Sequence, residues 1–130
     1  MLVQKKDGTW RLCIDYQALK NITVWNNYPI PHIDDLLDHL KWKKYFSNID
    51  LKSRYHQVPI EPYDVIKTTF KAKEGLFEWL VMPFRLMNSP ETLMRFMENI
   101  FQPFTNSFVV VYINCILIFN QSWEEHLHHI

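Results

Sequence analysis

Residues 108–119 read FVVVYINCILIF, and this stretch decides the fold. Its two apolar runs, 108–111 and 116–119, flank the tripeptide Ile113-Asn114-Cys115. β-branched and aromatic residues favour strands, and two such runs around a short break are typical of a β-hairpin. We therefore predict two antiparallel strands here. The stretch is about half as long as the roughly 20 residues that a membrane helix needs, so we expect no membrane segment.

Helices are predicted on both sides of this hairpin. Upstream, Ser89 is a candidate helix cap and Pro90 suits the first helical position. Downstream, Ser122 with Glu125 three residues later is a capping-box pattern, so a helix is predicted from about Trp123. The upstream helix has one apolar face made of Leu93, Met94, Met97, Ile100, Phe101 and Phe104.

The N-terminal two-thirds of the chain alternates short strand and helix patterns. Asp7-Gly8 between two apolar runs indicates another β-hairpin, and the strand pattern at 45–49 ends at Asp50. The other predicted elements are a helix over 33–40 and strands over 65–70 and 76–81 around Glu74-Gly75. Together the patterns predict an α+β fold, with an antiparallel sheet and helices packed on one face.

The composition is that of a globular domain, since 48% of the residues are hydrophobic and 15% are aromatic. Basic and acidic residues balance at 14 each, whereas a free-standing nucleic-acid binder usually carries a basic surplus. Cys13 and Cys115 lack disulfide or metal-ligand spacing. No targeting segment is evident, so we expect an intracellular protein. His126, His128 and His129 cluster near the C-terminus, where we expect a frayed polar helix end rather than a metal site.

Five segments occur in a characteristic order and spacing: residues 3–16 (VQKKDGTWRLCIDY), 28–37 (YPIPHIDDLL), 49–57 (IDLKSRYHQ), 77–84 (FEWLVMPF) and 108–112 (FVVVY). Together they resemble the reverse transcriptase of gypsy-type long-terminal-repeat retrotransposons, over essentially the whole chain. The resemblance implies partial fingers and palm of a right-hand polymerase. Residues from about 1 to 44 would form a fingers hairpin, connector and helix, and those from about 45 to 130 the palm mixed with fingers strands. We expect the thumb and ribonuclease H domains to be absent.

The resemblance also implies the family's chemistry, template-directed DNA synthesis by two-metal nucleotidyl transfer. Two Mg²⁺ ions stabilise the attacking and leaving oxygens, and as hard ions they take carboxylate ligands. Asp50 matches the first metal-binding aspartate, and the alternative is a polar residue that merely ends a strand. The family's paired aspartates would lie at Asn114 and Cys115, where one position lacks charge and the other offers a soft sulfur.

Residues that match the family's nucleotide pocket occur in two parts of the chain. Arg11 matches the guanidinium that grips the incoming triphosphate, and Lys5 and Lys6 share its hairpin, although a solvated turn would explain both lysines equally well. Tyr55 matches the aromatic residue beneath the incoming sugar, with a core tyrosine as the alternative. Phe84 ends the strand that leads to this pocket.

Two arginines stand where the family has glycine, namely Arg54 and Arg85. Both glycines lie near the nucleotide, where the backbone must approach the ligand closely. We therefore expect the arginines to crowd the pocket, with recruitment of phosphate by a guanidinium as the alternative. Productive Mg²⁺ binding is expected to be lost with the aspartate pair.

Taken as a whole, these departures predict a truncated, degenerate and catalytically inactive homologue of an RNA-directed DNA polymerase, encoded as a nuclear or organelle retroelement remnant. The family's partners are an RNA or DNA template-primer and a deoxynucleotide, for which this chain is expected to have weak affinity or none. Two alternatives stay open: a non-catalytic nucleic-acid-binding module, and a nucleotidyltransferase piece that is active only when its missing parts are supplied.

Overall fold

A computed structural model describes residues 1–105, 107–113 and 115–130 of the chain. The chain forms two compact units, each assembled from two stretches of sequence. The first unit comprises Met1–Trp25 and Tyr55–Ser89, and the second comprises Asn26–Arg54 and Pro90–Ile130. Within the described residues, no helix combines the length and apolarity that a bilayer crossing requires.

Seven strands and four helices are found in the described part of the chain. The strands are β1 (Leu2–Gln4), β2 (Trp10–Leu12), β3 (Tyr45–Asp50), β4 (Phe70–Ala72), β5 (Gly75–Phe77), β6 (Val109–Tyr112) and β7 (Cys115–Asn120). The helices are α1 (Gln17–Ile22), α2 (Ile33–Leu40), α3 (Ser89–Thr105) and α4 (Trp123–His129). The antiparallel strands and separate helices confirm the predicted α+β class.

The second unit contains a three-stranded antiparallel sheet in the order β3-β7-β6. The predicted β6–β7 hairpin is confirmed, with Tyr112 opposite Cys115 and Val109 opposite Ile118. Three valines of β6 (Val109, Val110 and Val111) and three apolar residues of β7 (Ile116, Ile118 and Phe119) are buried, so side chains on both faces of the hairpin are covered. The opposite edge of β7 pairs with β3, which places Asp50 directly opposite Cys115.

Helices α3 and α4 complete the core of the second unit. Leu93, Met94 and Met97 of α3 are buried, as the apolar spacing predicts. Helix α4 contacts β3 and β7, and its predicted cap is confirmed, since the backbone N–H of Glu125 donates to the Ser122 hydroxyl at 3.2 Å. The prediction for Ser89 is wrong. That residue is the first of α3 rather than its cap, and its buried hydroxyl has no hydrogen-bond partner among the described residues.

A buried polar network between α4 and the sheet corrects the prediction of a frayed helix end. His126 is only 2% exposed. Its Nδ1 lies 3.0 Å from the side-chain oxygen of Asn120, and its Nε2 lies 2.9 Å from the Ser47 hydroxyl. Asn120 also donates to Nδ1 of His129 at 2.7 Å, and the His129 ring stacks on Phe108 with centroids 3.7 Å apart. These histidines therefore fasten α4 to the sheet.

A tyrosine anchors the connector of the second unit to α3. The Tyr28 hydroxyl donates a hydrogen bond to the Glu98 carboxylate. This bond, and then partial desolvation, raise the pKa of Tyr28 because both favour its protonated form. Pro29 and Pro31, which both follow Tyr28, favour an extended backbone in this connector.

The first unit contains two small antiparallel hairpins, β1–β2 and β4–β5. Its core includes the buried side chains of Cys13, Tyr16, Val58 and Met82. The Tyr16 hydroxyl donates to the carbonyl of Thr68 at 2.9 Å. Burial raises the pKa of Tyr16, because the phenolate is harder to desolvate than the phenol.

The strand predictions between residues 65 and 81 are partly wrong. Val65–Thr68 forms a 3-10 turn, in which the Thr68 hydroxyl donates to the Val65 carbonyl at 2.6 Å. Such local bonds give the backbone an alternative to strand pairing. The paired strands are limited to β4 and β5, while Val81 forms an isolated bridge with Pro59. Helix α1 was not predicted, because its six residues bury no side chain and show no apolar stripe.

Candidate nucleotide and metal site

Asp50 and Cys115 form a directly opposed pair at one end of the three-stranded sheet. Directly opposite residues in an antiparallel pair project from the same face, so the carboxylate and the thiol lie side by side. Cys115 also pairs with Tyr112 across the β6–β7 hairpin. The Asp50 side chain is 61% exposed and Cys115 is exposed and unbridged. The sheet thus brings together the two described members of the predicted metal site.

Arg54 forms an ion pair with Asp50, a contact that was not predicted from the sequence. Its Nη2 lies 3.8 Å from Oδ1 of Asp50, and its side chain is 28% exposed. The chain leaves β3 and turns at Ser53, which has φ +50°, before a 3-10 segment that begins at Arg54. The i,i+4 spacing that predicts ion pairs within a helix does not apply here, because Asp50 ends a strand and Arg54 begins a 3-10 segment, so residue spacing gave no signal for this pair.

The donor set around Asp50 does not fit two Mg²⁺ ions. Mg²⁺ requires oxygen ligands and near-octahedral geometry, whereas the described donors are one carboxylate and the soft sulfur of Cys115. In the part of the chain that the structure describes, no group of three or more His, Cys, Asp or Glu side chains could hold a metal. Asn114, the other predicted position of the aspartate pair, lies outside the described residues.

The hairpin beside this pair has unusual backbone geometry. Ile113 has φ +48°, and a β-branched residue in the left-handed region is an outlier. Its backbone N–H donates to the Met94 sulfur of α3 at 3.2 Å, and Met94 is 1% exposed. Sequence patterns identified Met94 only as a core residue. The structure shows that it also holds the hairpin against α3.

Three of the predicted nucleotide-binding residues meet in the first unit. The guanidinium carbon of Arg11 lies 4.4 Å from the centroid of the Phe84 ring. The Phe84 ring in turn contacts Tyr55, with centroids 6.0 Å apart and planes inclined by 54°. Arg11 is exposed, while Tyr55 and Phe84 are half-buried. The cation–π contact holds the guanidinium at the surface, and its exposed N–H groups can still bind phosphate.

Lys5 and Lys6 lie in the exposed turn between β1 and β2. The turn is closed by the Lys5 N–H donating to the Thr9 carbonyl at 2.7 Å, and Gly8 adopts φ +81°. Hydrogen bonds from the Thr9 hydroxyl and then from its backbone N–H lower the pKa of Asp7. The acid is thereby held as a carboxylate beside the lysines, which partly offsets their positive charge.

The two arginines at expected glycine positions differ in backbone conformation. Arg85 has φ +81°, in the left-handed region that favours glycine. Arg54 does not have a positive φ, although the preceding Ser53 does. At position 85 the backbone conformation itself favours glycine. At position 54 it does not, and the effect of Arg54 is the charge that its side chain introduces.

We expect Arg85→Gly to raise the free energy of unfolding by about 0.5–1 kcal/mol. Removing the left-handed strain gains about 1–2 kcal/mol, and the greater unfolded-state entropy of glycine offsets about half of it. Urea denaturation followed by circular dichroism measures the change. The matched control is Arg54→Gly, where no gain is expected. A stability of Arg85→Gly at or below that of the unchanged chain would contradict the strain.

Comparisons with known proteins identify the family. The family described as reverse transcriptase (RNA-dependent DNA polymerase) matches residues 3–130. The chain is 42% identical, over 121 residues, to the "Retrovirus-related Pol polyprotein from transposon 297" of Drosophila melanogaster, spanning 93% of this chain but 11% of that protein. It is also 42% identical, over 123 residues, to an "RNA-directed DNA polymerase homolog" of Oenothera berteroana, covering 92% of this chain and 87% of that protein.

Solved structures show the same fold. The foamy viral protease-reverse transcriptase "dRH", in complex with double-stranded DNA, superposes with a TM-score of 0.84 at 26% identity, over 98% of this chain and 22% of that one. The same viral enzyme with an RNA/DNA hybrid gives a TM-score of 0.81 at 25% identity, over 98% and 17% of the two chains. With the family match spanning nearly all residues, this chain belongs to the reverse transcriptase family of RNA-directed DNA polymerases.

Proposed function

We propose that this chain is a non-catalytic homologue of a gypsy-type reverse transcriptase, retaining fingers and palm elements without the two-metal chemistry. The observation that carries the proposal is the immediate surroundings of Asp50. Its carboxylate faces the Cys115 thiol across β3 and β7, and Arg54 lies 3.8 Å away. Lewis-acid stabilisation by the metals lowers the activation free energy by several kcal/mol. Because each 1.36 kcal/mol corresponds to about a tenfold change in rate, a chain without the metals should be slower by well over tenfold.

The predicted nucleotide-binding residues of the first unit support ancestry rather than present catalysis. Arg11, Phe84 and Tyr55 keep the types and proximity expected of a nucleotide pocket. In such a pocket Arg11 would bind phosphate, Tyr55 would contact the sugar, and Lys5 and Lys6 would add local positive charge. These side chains can position a nucleotide, but positioning alone does not stabilise the charge that develops during phosphoryl transfer.

Primer extension tests the proposal. The purified chain is expected to yield no product above the protein-free background on an RNA template with a DNA primer, in Mg²⁺ or in Mn²⁺. An active reverse transcriptase serves as the positive control. Robust synthesis by the unchanged chain would refute the proposal. Synthesis that appears only after Asn114→Asp with Cys115→Asp, with or without an added thumb, would instead support an active piece that lacks its ligands or partners.

A non-catalytic nucleic-acid-binding module is the second candidate. It is favoured by the exposed Arg11 guanidinium beside two aromatic rings and by neighbours solved with duplex DNA and an RNA/DNA hybrid. It ranks second because the net charge is +0. If this candidate is correct, the chain binds the same primer-template with an affinity that falls steeply as the salt concentration rises. Arg11→Ala should reduce that affinity. Absent or salt-insensitive binding excludes it.

A further inference from the structure

We propose that Arg54 is a resident cation at the Asp50 carboxylate and keeps a divalent metal ion from binding there, in addition to the change at the aspartate pair. The inference rests on the proposed function, because it assigns a second and separable cause to the loss of metal. It concerns the chain's own residues in the second unit, Asp50 and Arg54, and no reaction step. Restoring two aspartates would then be insufficient to restore metal affinity.

The backbone brings the two side chains together. Asp50 is the last residue of β3, and Arg54 begins the 3-10 segment that follows. Between them the chain turns at Ser53, whose φ of +50° is rare for a residue with a side chain. This turn places the guanidinium Nη2 3.8 Å from Oδ1 of Asp50. The ion pair therefore depends on the turn at Ser53 and on the Arg54 side chain. A glycine at position 54 could not form it, because glycine has no side chain.

The charge of Arg54 is permanent, because a guanidinium does not deprotonate in proteins. A divalent ion bound to the Asp50 carboxylate would lie about 2.1 Å from an oxygen. Because this carboxylate is already 3.8 Å from Nη2, the ion and the guanidinium would be close neighbours. Repulsion between a divalent ion and a unit charge at about 4 Å, even in water, corresponds to roughly a thirtyfold weaker equilibrium. Motion of an exposed side chain and screening by salt reduce this to about tenfold.

Removing the Asp50–Arg54 ion pair should leave folding intact, so a change in metal affinity can be measured without a change in stability. Asp50 is 61% exposed and Arg54 is 28% exposed, and exposed ion pairs contribute little to stability. Lys67 with Asp64 is a second exposed ion pair, with side chains 59% and 51% exposed, and it lies in the first unit. Lys67→Gln is therefore a matched control that removes a cation from an ion pair outside the candidate metal site.

Mn²⁺ alone is the probe, and its affinity is measured by electron paramagnetic resonance of the free ion. The starting variant carries Asn114→Asp and Cys115→Asp, and Arg54→Gln, Arg54→Lys or Lys67→Gln is added to it. We expect Arg54→Gln to bind Mn²⁺ about tenfold more tightly than the starting variant. Arg54→Lys keeps a cation and should remain weak, and Lys67→Gln should change nothing.

A second measurement avoids dependence on the restored aspartates. In the otherwise unchanged chain, paramagnetic broadening of the Asp50 amide signal by Mn²⁺ should be stronger in Arg54→Gln than in wild type. Equal affinities with and without Arg54→Gln, no Mn²⁺ binding by either restored variant, or equal broadening would each overturn the inference. Primer extension by the unchanged chain would refute the proposed function whatever the Mn²⁺ affinities, so the two failures are distinguishable.

Discussion

His126→Ala is expected to lower the free energy of unfolding by about 3 kcal/mol, which corresponds to a fall in melting temperature of about 10 °C for a chain of this size. His126 is 2% exposed and is hydrogen-bonded through both ring nitrogens. An amide oxygen can only accept, so Nδ1 donates to Asn120, while Nε2 is hydrogen-bonded to the Ser47 hydroxyl. Alanine leaves the buried Asn120 oxygen unsatisfied and opens a cavity between α4 and the sheet. Urea denaturation followed by circular dichroism measures the loss.

His128→Ala is the matched control for this experiment. His128 lies in the same helix but is exposed, so its replacement should change stability by no more than about 0.5 kcal/mol. Equal effects of the two substitutions would show that the buried network contributes nothing beyond helix propensity. Ser47→Ala keeps the imidazole and removes only the bond to Nε2. It should therefore cost about 1 kcal/mol.

Met94→Ala is expected to destabilise the chain by about 3 kcal/mol, because truncating a fully buried methionine leaves a cavity. Met94 is 1% exposed, and its sulfur accepts the Ile113 N–H at 3.2 Å. The substitution should therefore also release the β6–β7 hairpin from α3. Thermal unfolding measures the first effect. Hydrogen exchange at the Ile113 amide measures the second, and faster exchange is expected.

Met94→Leu distinguishes the contribution of the side-chain volume at this position from that of the sulfur atom. Leucine nearly conserves the volume, so the loss of stability should be under about 1.5 kcal/mol. It cannot accept the Ile113 hydrogen bond, so exchange at Ile113 should still accelerate. Arg95→Ala, at an exposed position of the same helix, should change neither quantity appreciably. Slow Ile113 exchange in both Met94 variants would mean that the sulfur does not hold the hairpin.

The fold was most predictable where residue type and spacing agree over several residues. The hairpin of β6 and β7 follows from two runs of β-branched and aromatic residues, and α3 from an apolar face with helical spacing. The Ser122 cap of α4 was also correct. In these segments the local preference and the buried face point to the same structure, so tertiary contacts did not change the outcome.

Prediction failed where short-range hydrogen bonds compete with strand pairing. Val65 to Thr68 is rich in β-branched residues, yet the Thr68 hydroxyl satisfies a carbonyl three residues back and stabilises a 3-10 turn. Helix α1 buries no residue, so no hydrophobic period could reveal it. The burial of His126 could not be predicted for another reason, because its hydrogen-bond partners Ser47 and Asn120 come from two different strands.

The sequence alone determined the family of the chain, and the predicted site residues also rest on the sequence. Asp50, the sequence Tyr112-Ile113-Asn114-Cys115 and Arg11 are visible as residue types in order, and the number of carboxylates is the basis for predicting that this chain lacks Mg²⁺ chemistry. Only the tertiary structure decided which groups meet. The β3–β7 register sets Asp50 against Cys115, and the turn at Ser53 brings the Arg54 guanidinium to the carboxylate. Electrostatic effects depend on distances of a few ångströms, and such distances arise from strand register and backbone dihedral angles rather than from residue order.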